Sequence, residues 1–183
     1  MTTLTQKLIK EDRLDELLLI TSRWEQLQEG KKFHGKQIQT FKAIFEKGFK
    51  KVFCRKGRKG GGTETSLYIA CRIVAEPRKL VYIIYPTATL GREIIWNNNR
   101  IREYIPKEWK PQFKENQMQI ILPWGSQIKI LGADNDKSMV GIEGDAFIFD
   151  ELKDHDPRAY KNCYPNIASR DALWMVLGAA PMN

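Results

Sequence analysis

Two separate segments of this sequence contain the residue types of a site that binds and hydrolyses a nucleotide. The first is a glycine-rich loop that follows the apolar stretch 52–54 and consists of Lys56, Gly57, Arg58, Lys59, Gly60, Gly61, Gly62 and Thr63. Such a loop, placed between a strand and a helix, offers backbone N–H groups and the positive end of a helix dipole to phosphate oxygens. The second is the acidic pair Asp150-Glu151, directly after the apolar run 146–149. Together they predict a site for ATP and Mg²⁺.

The expected role of each polar group follows from its position. Thr63 stands where the phosphate-loop pattern places a hydroxyl on Mg²⁺. We expect Asp150 to hold the same metal through water, and Glu151 to orient and deprotonate the water that attacks the γ-phosphate. Each segment also has a purely structural interpretation, as a glycine-rich turn or as an acidic strand end. Their combination favours the nucleotide site.

The loop departs from the usual pattern at one position. That pattern ends Gly-Lys-Ser/Thr, and here Gly62 takes the place of the lysine. Three nearby cations could supply the missing charge to the β- and γ-phosphates, namely Lys56, Arg58 and Lys59. Alternatively, a lysine at position 62 has been replaced and the loop is disabled. The sequence leaves both interpretations open.

Strands and helices alternate along the chain. Continuous apolar runs bounded by proline or glycine predict buried strands, and apolar residues at helical spacing predict helices. The predicted strands cover residues 50–55, 80–85, 117–122, 126–131, 146–149 and 173–177, and the predicted helices cover 37–48, 63–76, 88–104 and 157–167. This order predicts an α/β fold with a mainly parallel sheet, helices on both faces and an inserted β-hairpin. Because ligands bind at the carboxyl ends of such strands, we expect the loop and the acidic pair to meet there.

Composition narrows the range of partners. The net charge is +8, and a dense basic stretch contains Lys47, Lys50, Lys51 and Arg55. This favours an acidic partner such as nucleic acid, although a basic stretch can also be an ordinary solvated surface. No apolar run approaches the ~20 residues of a membrane span, and the first residues lack the apolar core of a signal peptide. We therefore expect neither membrane insertion nor secretion.

The order of these segments resembles the ATPase domain of the large terminase subunit, the DNA-packaging motor of tailed phages. The resemblance begins near residue 33 and is carried by Phe33-His34-Gly35-Lys36-Gln37, by the loop, by Tyr85-Pro86-Thr87, by Ile130-Leu131-Gly132-Ala133-Asp134-Asn135 and by Ile148-Phe149-Asp150-Glu151. Val140 stands where this family usually has an arginine. The resemblance implies a P-loop NTPase fold of the RecA/ASCE-like type.

The resemblance also implies residue roles. Gln37 would read adenine, Lys56 would be the displaced phosphate lysine, and Arg58 would be a catalytic, phosphate-sensing arginine. The ATP-binding set is then Gln37, Lys56, Gly57, Arg58, Lys59, Gly60, Gly61, Gly62, Thr63 and Glu64. The coupling motif corresponds to Ala179, Ala180 and Pro181, where alanines replace the usual hydroxyl residues. Candidates for an arginine acting on a neighbouring subunit are Arg100, Arg102 and Arg158.

The function implied by the resemblance is ATP hydrolysis that drives double-stranded DNA into a procapsid, in the host cytoplasm. The implied partners are double-stranded DNA, a small terminase subunit, a portal protein and further copies of the chain in a ring. We expect residues 1–32 to be a helical segment packed on the core, or a binding site for the small subunit, and residues 33–183 to be the ATPase domain, with the family's nuclease domain absent. Two alternatives are a helicase-like ATPase and a basic nucleic-acid-binding module with an inactive loop.

Overall fold

The strands of the sheet are short and mostly apolar. The computed structural model describes residues 14–57, 60–135 and 139–179. The strands are β1 (Lys51–Lys56), β2 (Leu80–Tyr85), β3 (Gln112–Lys114), β4 (Gln119–Ile121), β5 (Gln127–Gly132), β6 (Ala146–Phe149) and β7 (Leu173–Ala179). The helices are α1 (Leu14–Gln28), α2 (Gly35–Phe41), α3 (Gly62–Val74), α4 (Ala88–Gly91), α5 (Arg100–Tyr104) and α6 (Pro157–Ser169), with π-helical turns continuing α2 over Lys42–Glu46 and α4 over Arg92–Asn97. Short 3₁₀ turns cover Lys107–Trp109, Glu115–Gln117 and Leu152–Asp154.

Across the described part of the chain, the strands form one sheet in the order β1-β7-β6-β2-β5-β4-β3. The pairs β1–β7, β7–β6, β6–β2 and β2–β5 are parallel. The pairs β5–β4 and β4–β3 are antiparallel. The predicted α/β fold with a mainly parallel sheet and an inserted hairpin is therefore confirmed.

Helices cover both faces of this sheet, as β6 illustrates. Ala146 and Ile148 point into the larger core, which also contains buried residues of α1 and α3. Phe147 and Phe149 point into a second core, shared with α6. A strand buried on both faces has no reason to alternate apolar with polar residues, which accounts for its continuous apolar sequence.

Two predicted elements differ from the structure. The predicted helix 88–104 is interrupted before α5, where Asn99 adopts a positive φ of 55°. Asparagine tolerates this left-handed conformation. The backbone helix therefore breaks at Asn99, although the helical spacing of apolar residues continues through it in the sequence. The predicted strand 117–122 is shorter, and the additional strand β3 precedes it. Its three residues are too few to show a period. No helix in the described ranges has the length and apolar character needed to cross a membrane.

Helix α1 lies against the larger core. Leu27 is fully buried, and Arg23 Nη1 donates to the carbonyl of Ala75 at 2.7 Å. On the hairpin side, Trp109 Nε1 donates to Gln26 Oε1 at 2.9 Å. These contacts tie the end of α1 to α3 and to the loop before β3. The division of the chain at residue 32 stays a prediction, and residues 1–13 lie outside the described part.

Candidate nucleotide-binding site

The glycine-rich loop connects the carboxyl end of β1 to the first turn of α3. Gly60 N donates to the carbonyl of Gly57 at 3.1 Å, and a Cβ at Gly60 would lie 2.9 Å from that carbonyl oxygen. Gly61 has a positive φ of 67°, which favours glycine. The backbone therefore turns tightly into α3, whose first N–H groups have no partner within the helix and can bind an anion. Arg58 and Lys59 lie outside the described residues.

Lys56, at the entrance to the loop, reaches the acidic pair. Its Nζ lies 2.7 Å from Asp150 Oδ1 and 3.1 Å from Glu151 Oε1. The side chain of Lys56 is 14% exposed. Burial alone would lower the pKa of Lys56, but the two carboxylates outweigh burial and raise that pKa above its ordinary value. The ammonium is therefore charged at neutral pH. The two predicted halves of the site meet at one edge of the sheet.

The side chain of Lys56 fills the space beside Gly62. A Cβ at Gly62 would lie 2.5 Å from Cδ and 2.8 Å from Cε of Lys56, and would also collide with Nζ. The backbone at Gly62 belongs to the first turn of α3, so no unusual φ requires glycine there. The lysine at 56 and the missing side chain at 62 are thus sterically complementary. This geometry accounts for the departure from the usual loop pattern.

The acidic pair follows β6 directly. The Asp150 side chain is 1% exposed, and its Oδ1 accepts from Glu151 N at 3.0 Å in addition to Lys56. Glu151 is 29% exposed and has φ 58° and ψ 48°, the left-handed conformation that is uncommon for a residue with a side chain. Such strained positions cluster at functional sites. The structure thus joins one buried carboxylate to one that solvent can reach.

Two buried residues that the sequence reasoning missed support Asp150. Tyr85 is fully buried, and its hydroxyl donates to Asp150 Oδ2 at 3.2 Å. Burial, and then the Asp150 carboxylate, raise the pKa of Tyr85 well above its ordinary value. His155 Nε2 lies 2.6 Å from the Asp150 carbonyl, to which it donates. Burial lowers the pKa of His155 although Asp150 favours its protonated ring. The position of Tyr85 at the carboxyl end of a buried strand was the available signal.

Gln37 holds the end of the loop. Its Nε2 donates to the Gly61 carbonyl and to Thr65 Oγ1, both at 3.2 Å. Its Oε1 accepts from His34 N at 3.1 Å. Gln37 is 6% exposed, and its amide is hydrogen-bonded to protein groups. It therefore holds the loop end against α2. The role of Gln37 toward adenine stays a prediction.

Other predicted site residues lie around this centre. Glu64 Oε1 pairs with Arg100 Nη1 at 3.3 Å, so its carboxylate faces a neighbouring helix. Ala179 is the register partner of Lys56 across the β1–β7 pair, which places the start of the predicted coupling motif beside the lysine. Ala180 and Pro181 lie outside the described residues.

The other two candidate arginines are engaged within the chain. Arg102 pairs with Glu115. Arg158 pairs with Asp156 at 2.6 Å. With Arg100 on Glu64, each of the three candidates therefore has an acidic partner in its own chain.

A cavity of about 400 Å³ opens beside the loop. This size is within the range of small-molecule and cofactor sites. Its walls come from α2, β1, the loop and the start of α3, and they include His34, Gln37, Thr40, Cys54, Lys56, Gly57, Gly60, Gly62 and Thr65. The cavity therefore runs from the predicted adenine residue to the predicted phosphate residues.

The donor set fits Mg²⁺ bound together with phosphate. Within the described ranges, no group of three or more His, Cys, Asp or Glu side chains forms a complete protein cage for a metal. Mg²⁺ is usually held by one or two protein oxygens, several waters and substrate phosphates. Thr63 and Asp150 supply oxygens of that kind, and the Tyr85 hydroxyl holds the Asp150 carboxylate.

Comparison with solved structures finds this arrangement of strands and helices in phage large terminases. The ATPase domain of the Thermus phage P74-26 large terminase superposes with a TM-score of 0.69 at 21% identity, over 87% of this chain and 69% of that one. The bacteriophage HK97 large terminase gives 0.67 at 15% identity, over 81% and 33%. The large terminase of another, thermophilic bacteriophage, solved in complex with ADP, gives 0.67 at 11% identity, over 80% and 39%.

This chain has the fold of a phage large terminase ATPase domain. The resemblance predicted from the motifs is thereby confirmed, and at these identities it concerns the fold. The chain spans 33% of the HK97 protein and 39% of the ADP-bound terminase. Its sequence matches no protein-family model and no curated protein.

Proposed function

We propose that the chain is a terminase-type ATPase that binds ATP with Mg²⁺ at the carboxyl edge of the sheet and hydrolyses it. The observation that carries this proposal is the path of Lys56, whose side chain crosses the space above Gly62 and ends between Asp150 and Glu151. A cation, a helix start and two carboxylates then surround one point beside the cavity. An inactive glycine-rich turn has no need of this steric fit.

Lys56 would act on the phosphates. Its ammonium now neutralises the acidic pair, with Nζ within 3.1 Å of both carboxylates. A flexible four-carbon stem lets the ammonium transfer to the β- and γ-phosphate oxygens when a nucleotide enters. The N–H groups at the start of α3 would bind the same phosphates. We further propose that Arg58 and Lys59 contribute charge from the loop, with Arg58 as the phosphate-sensing arginine.

Glu151 would act as the general base. The left-handed backbone at Glu151 and the following turn Leu152–Asp154 fix where its carboxylate points, and its partial exposure leaves room for a water. Thr63 and Asp150 would hold Mg²⁺, which when bound neutralises charge on the β- and γ-phosphates. Once Lys56 moves to the phosphates, the Glu151 carboxylate is released to accept a proton.

The finer function we propose is translocation of double-stranded DNA into a procapsid in the host cytoplasm. Ala179 at the end of β7 lies beside Lys56, so a change at the phosphates can reach the coupling segment directly. The exposed lysines and Arg55 on and before β1 would contact the DNA backbone independently of sequence. A small terminase subunit, a portal protein and a ring of copies are the proposed partners.

Steady-state phosphate release from ATP tests the catalytic proposal. Glu151→Gln keeps the shape of the side chain and removes the base, so we expect turnover to fall by ~10²-fold or more. Glu143→Gln is the matched control, because Glu143 is exposed and pairs with Arg170 away from the site. DNA should be present, since a motor subunit can be slow alone. Equal turnover of Glu151→Gln and wild type would overturn the proposal.

A further inference from the structure

We infer that Tyr85 is a positioning residue for the metal site, where its hydroxyl fixes the orientation of the Asp150 carboxylate. The inference rests on the proposed function and deepens it. Tyr85 ends β2, next to β6 in the sheet, so its side chain reaches the acidic pair from the side opposite to Lys56. Neither the loop pattern nor the acidic pair assigns it a role.

The hydrogen bonds of Asp150 show what the hydroxyl does. A carboxylate oxygen has two lone pairs. On Oδ1, both are used by Lys56 Nζ at 2.7 Å and Glu151 N at 3.0 Å. On Oδ2, one is used by the Tyr85 hydroxyl at 3.2 Å. The carboxylate is thus fixed by three donors, and one lone pair on Oδ2 remains for a metal-bound water.

Without the hydroxyl, the carboxylate would lose its only described donor on Oδ2. Lys56 could then bind both oxygens of Asp150, which would hold the ammonium more tightly and block the metal. Tyr85 therefore acts on the metal through Asp150 and not by direct contact.

The ring of Tyr85 is itself held in place by α4. A Cβ at Gly91 would lie 3.1 Å from Tyr85 Cδ2 and 2.9 Å from Ile130 Cγ2. The Tyr85 ring therefore occupies the space that a side chain at position 91 would need, and the ring packs directly against the backbone of α4. This close packing explains why a large polar side chain can sit in a buried strand and still aim its hydroxyl at one carboxylate.

The test is to titrate the full chain with Mn²⁺, as a probe for Mg²⁺, in the presence of ADP. The electron paramagnetic resonance signal of free Mn²⁺ measures how much remains unbound. For Tyr85→Phe we expect about tenfold weaker Mn²⁺ binding, the size of one lost hydrogen bond to a charged group. Binding of ADP in EDTA should stay at the wild-type level. A merely structural role would weaken both.

Two further variants make the test specific. Tyr68→Phe removes another buried tyrosine hydroxyl, which accepts from Gln28 Nε2 at 3.0 Å, and should leave Mn²⁺ binding unchanged. Gly91→Ala keeps every polar group but displaces the Tyr85 ring, and it should weaken Mn²⁺ binding several-fold.

The outcomes separate the two proposals. If wild type binds ADP and Mn²⁺ and Tyr85→Phe binds Mn²⁺ equally well, the positioning role is wrong and the proposed function stands. If wild type binds neither ADP nor Mn²⁺, the proposed function itself is wrong. Should Tyr85→Phe not fold, unchanged Mn²⁺ binding by Gly91→Ala would overturn the inference in its place.

Discussion

The two ends of the sheet are held together by different interactions. At the parallel end, the buried groups are polar and connected, with Lys56 and Tyr85 both bonded to Asp150. At the hairpin end, the contacts are aromatic. Trp124 packs edge-on against Trp109 with ring centroids 5.5 Å apart, and its Nε1 donates to the Val74 carbonyl at 2.6 Å.

This difference separates chemistry from stability. The polar edge carries the cost of buried charges, which a pure scaffold would avoid. The hairpin end buries apolar surface around its tryptophan pair. Left-handed backbone does not separate the two ends, because Lys110 and Met118 at the hairpin end share it with Glu151. Substitutions at the first region should therefore change turnover more than stability, and substitutions at the second should do the reverse.

The largest effect is expected for Lys56→Ala. Removal of the proposed phosphate cation should lower ATP turnover by ~10²-fold or more, in line with the loss of one electrostatic group at a reacting centre. Phosphate release at saturating ATP measures the change. Lys129→Ala, on the hairpin-side strand β5, removes an equal charge and should keep turnover near the wild-type level. Similar losses in both variants would contradict the division between the two ends.

Gly62→Ala should weaken nucleotide binding only a few-fold, because the added methyl displaces the end of the Lys56 side chain, which is flexible and can shift. Titration with ADP and Mg²⁺ measures the affinity. Gly35→Ala, outside the loop, is the control, because a Cβ there meets nothing within 4 Å and the φ is not positive. Equal affinities of the two alanine variants would show that Lys56 does not require the space at position 62.

Trp124→Ala tests the hairpin end. The substitution should lower the free energy of unfolding by about 3 kcal/mol. It removes the packing of Trp124 against Trp109, the contact with the Arg23 guanidinium 3.6 Å above the ring, and the hydrogen bond to the Val74 carbonyl. Urea denaturation measures the change. Turnover per folded molecule should stay within about twofold of wild type, since Trp124 belongs to the hairpin end of the sheet and not to the site. A large loss of turnover without loss of stability would reverse the comparison.

The smallest effect concerns the cysteines. Burial raises the pKa of Cys71 and of Cys163 to about 12, so both thiols are protonated at pH 8 and should resist alkylation. Burial also raises the pKa of Cys54, but Cys54 lines the cavity. We expect slow labelling of Cys54 that ADP with Mg²⁺ slows further, a few-fold, as measured by mass spectrometry. Protection of Cys163 alone would place the nucleotide elsewhere.

The parallel half of the fold could be predicted from the sequence because its signals are local. Continuous apolar runs marked β2 and β6, and the rule that ligands bind at the carboxyl ends of parallel strands predicted that the loop and Asp150 would meet. The interruption at Asn99 and the short strand β3 were missed. In both cases tertiary packing decides between conformations that the local period does not distinguish.

The candidate site was predicted in its residues but not in its internal contacts. The steric fit between Gly62 and Lys56, six residues earlier, is a contact that no pattern of residue types expresses. Tyr85 was known only as part of a strand end, since its bond to Asp150 crosses 65 positions of sequence. Such contacts depend on strand order, which the sequence predicts only in outline.

Moving the lysine from position 56 to position 62 tests whether Lys56 supplies the phosphate charge that the usual loop pattern takes from position 62. Lys56→Ala empties the space above Gly62, and the double variant Lys56→Ala with Gly62→Lys returns an ammonium from the position that the usual loop pattern uses. We expect wild type to be active, Lys56→Ala to be nearly inactive, and the double variant to recover turnover to within about tenfold of wild type, which corresponds to about 1.4 kcal/mol. Undiminished turnover in Lys56→Ala would contradict this role of Lys56, as would an inactive wild type that gains activity from Gly62→Lys alone.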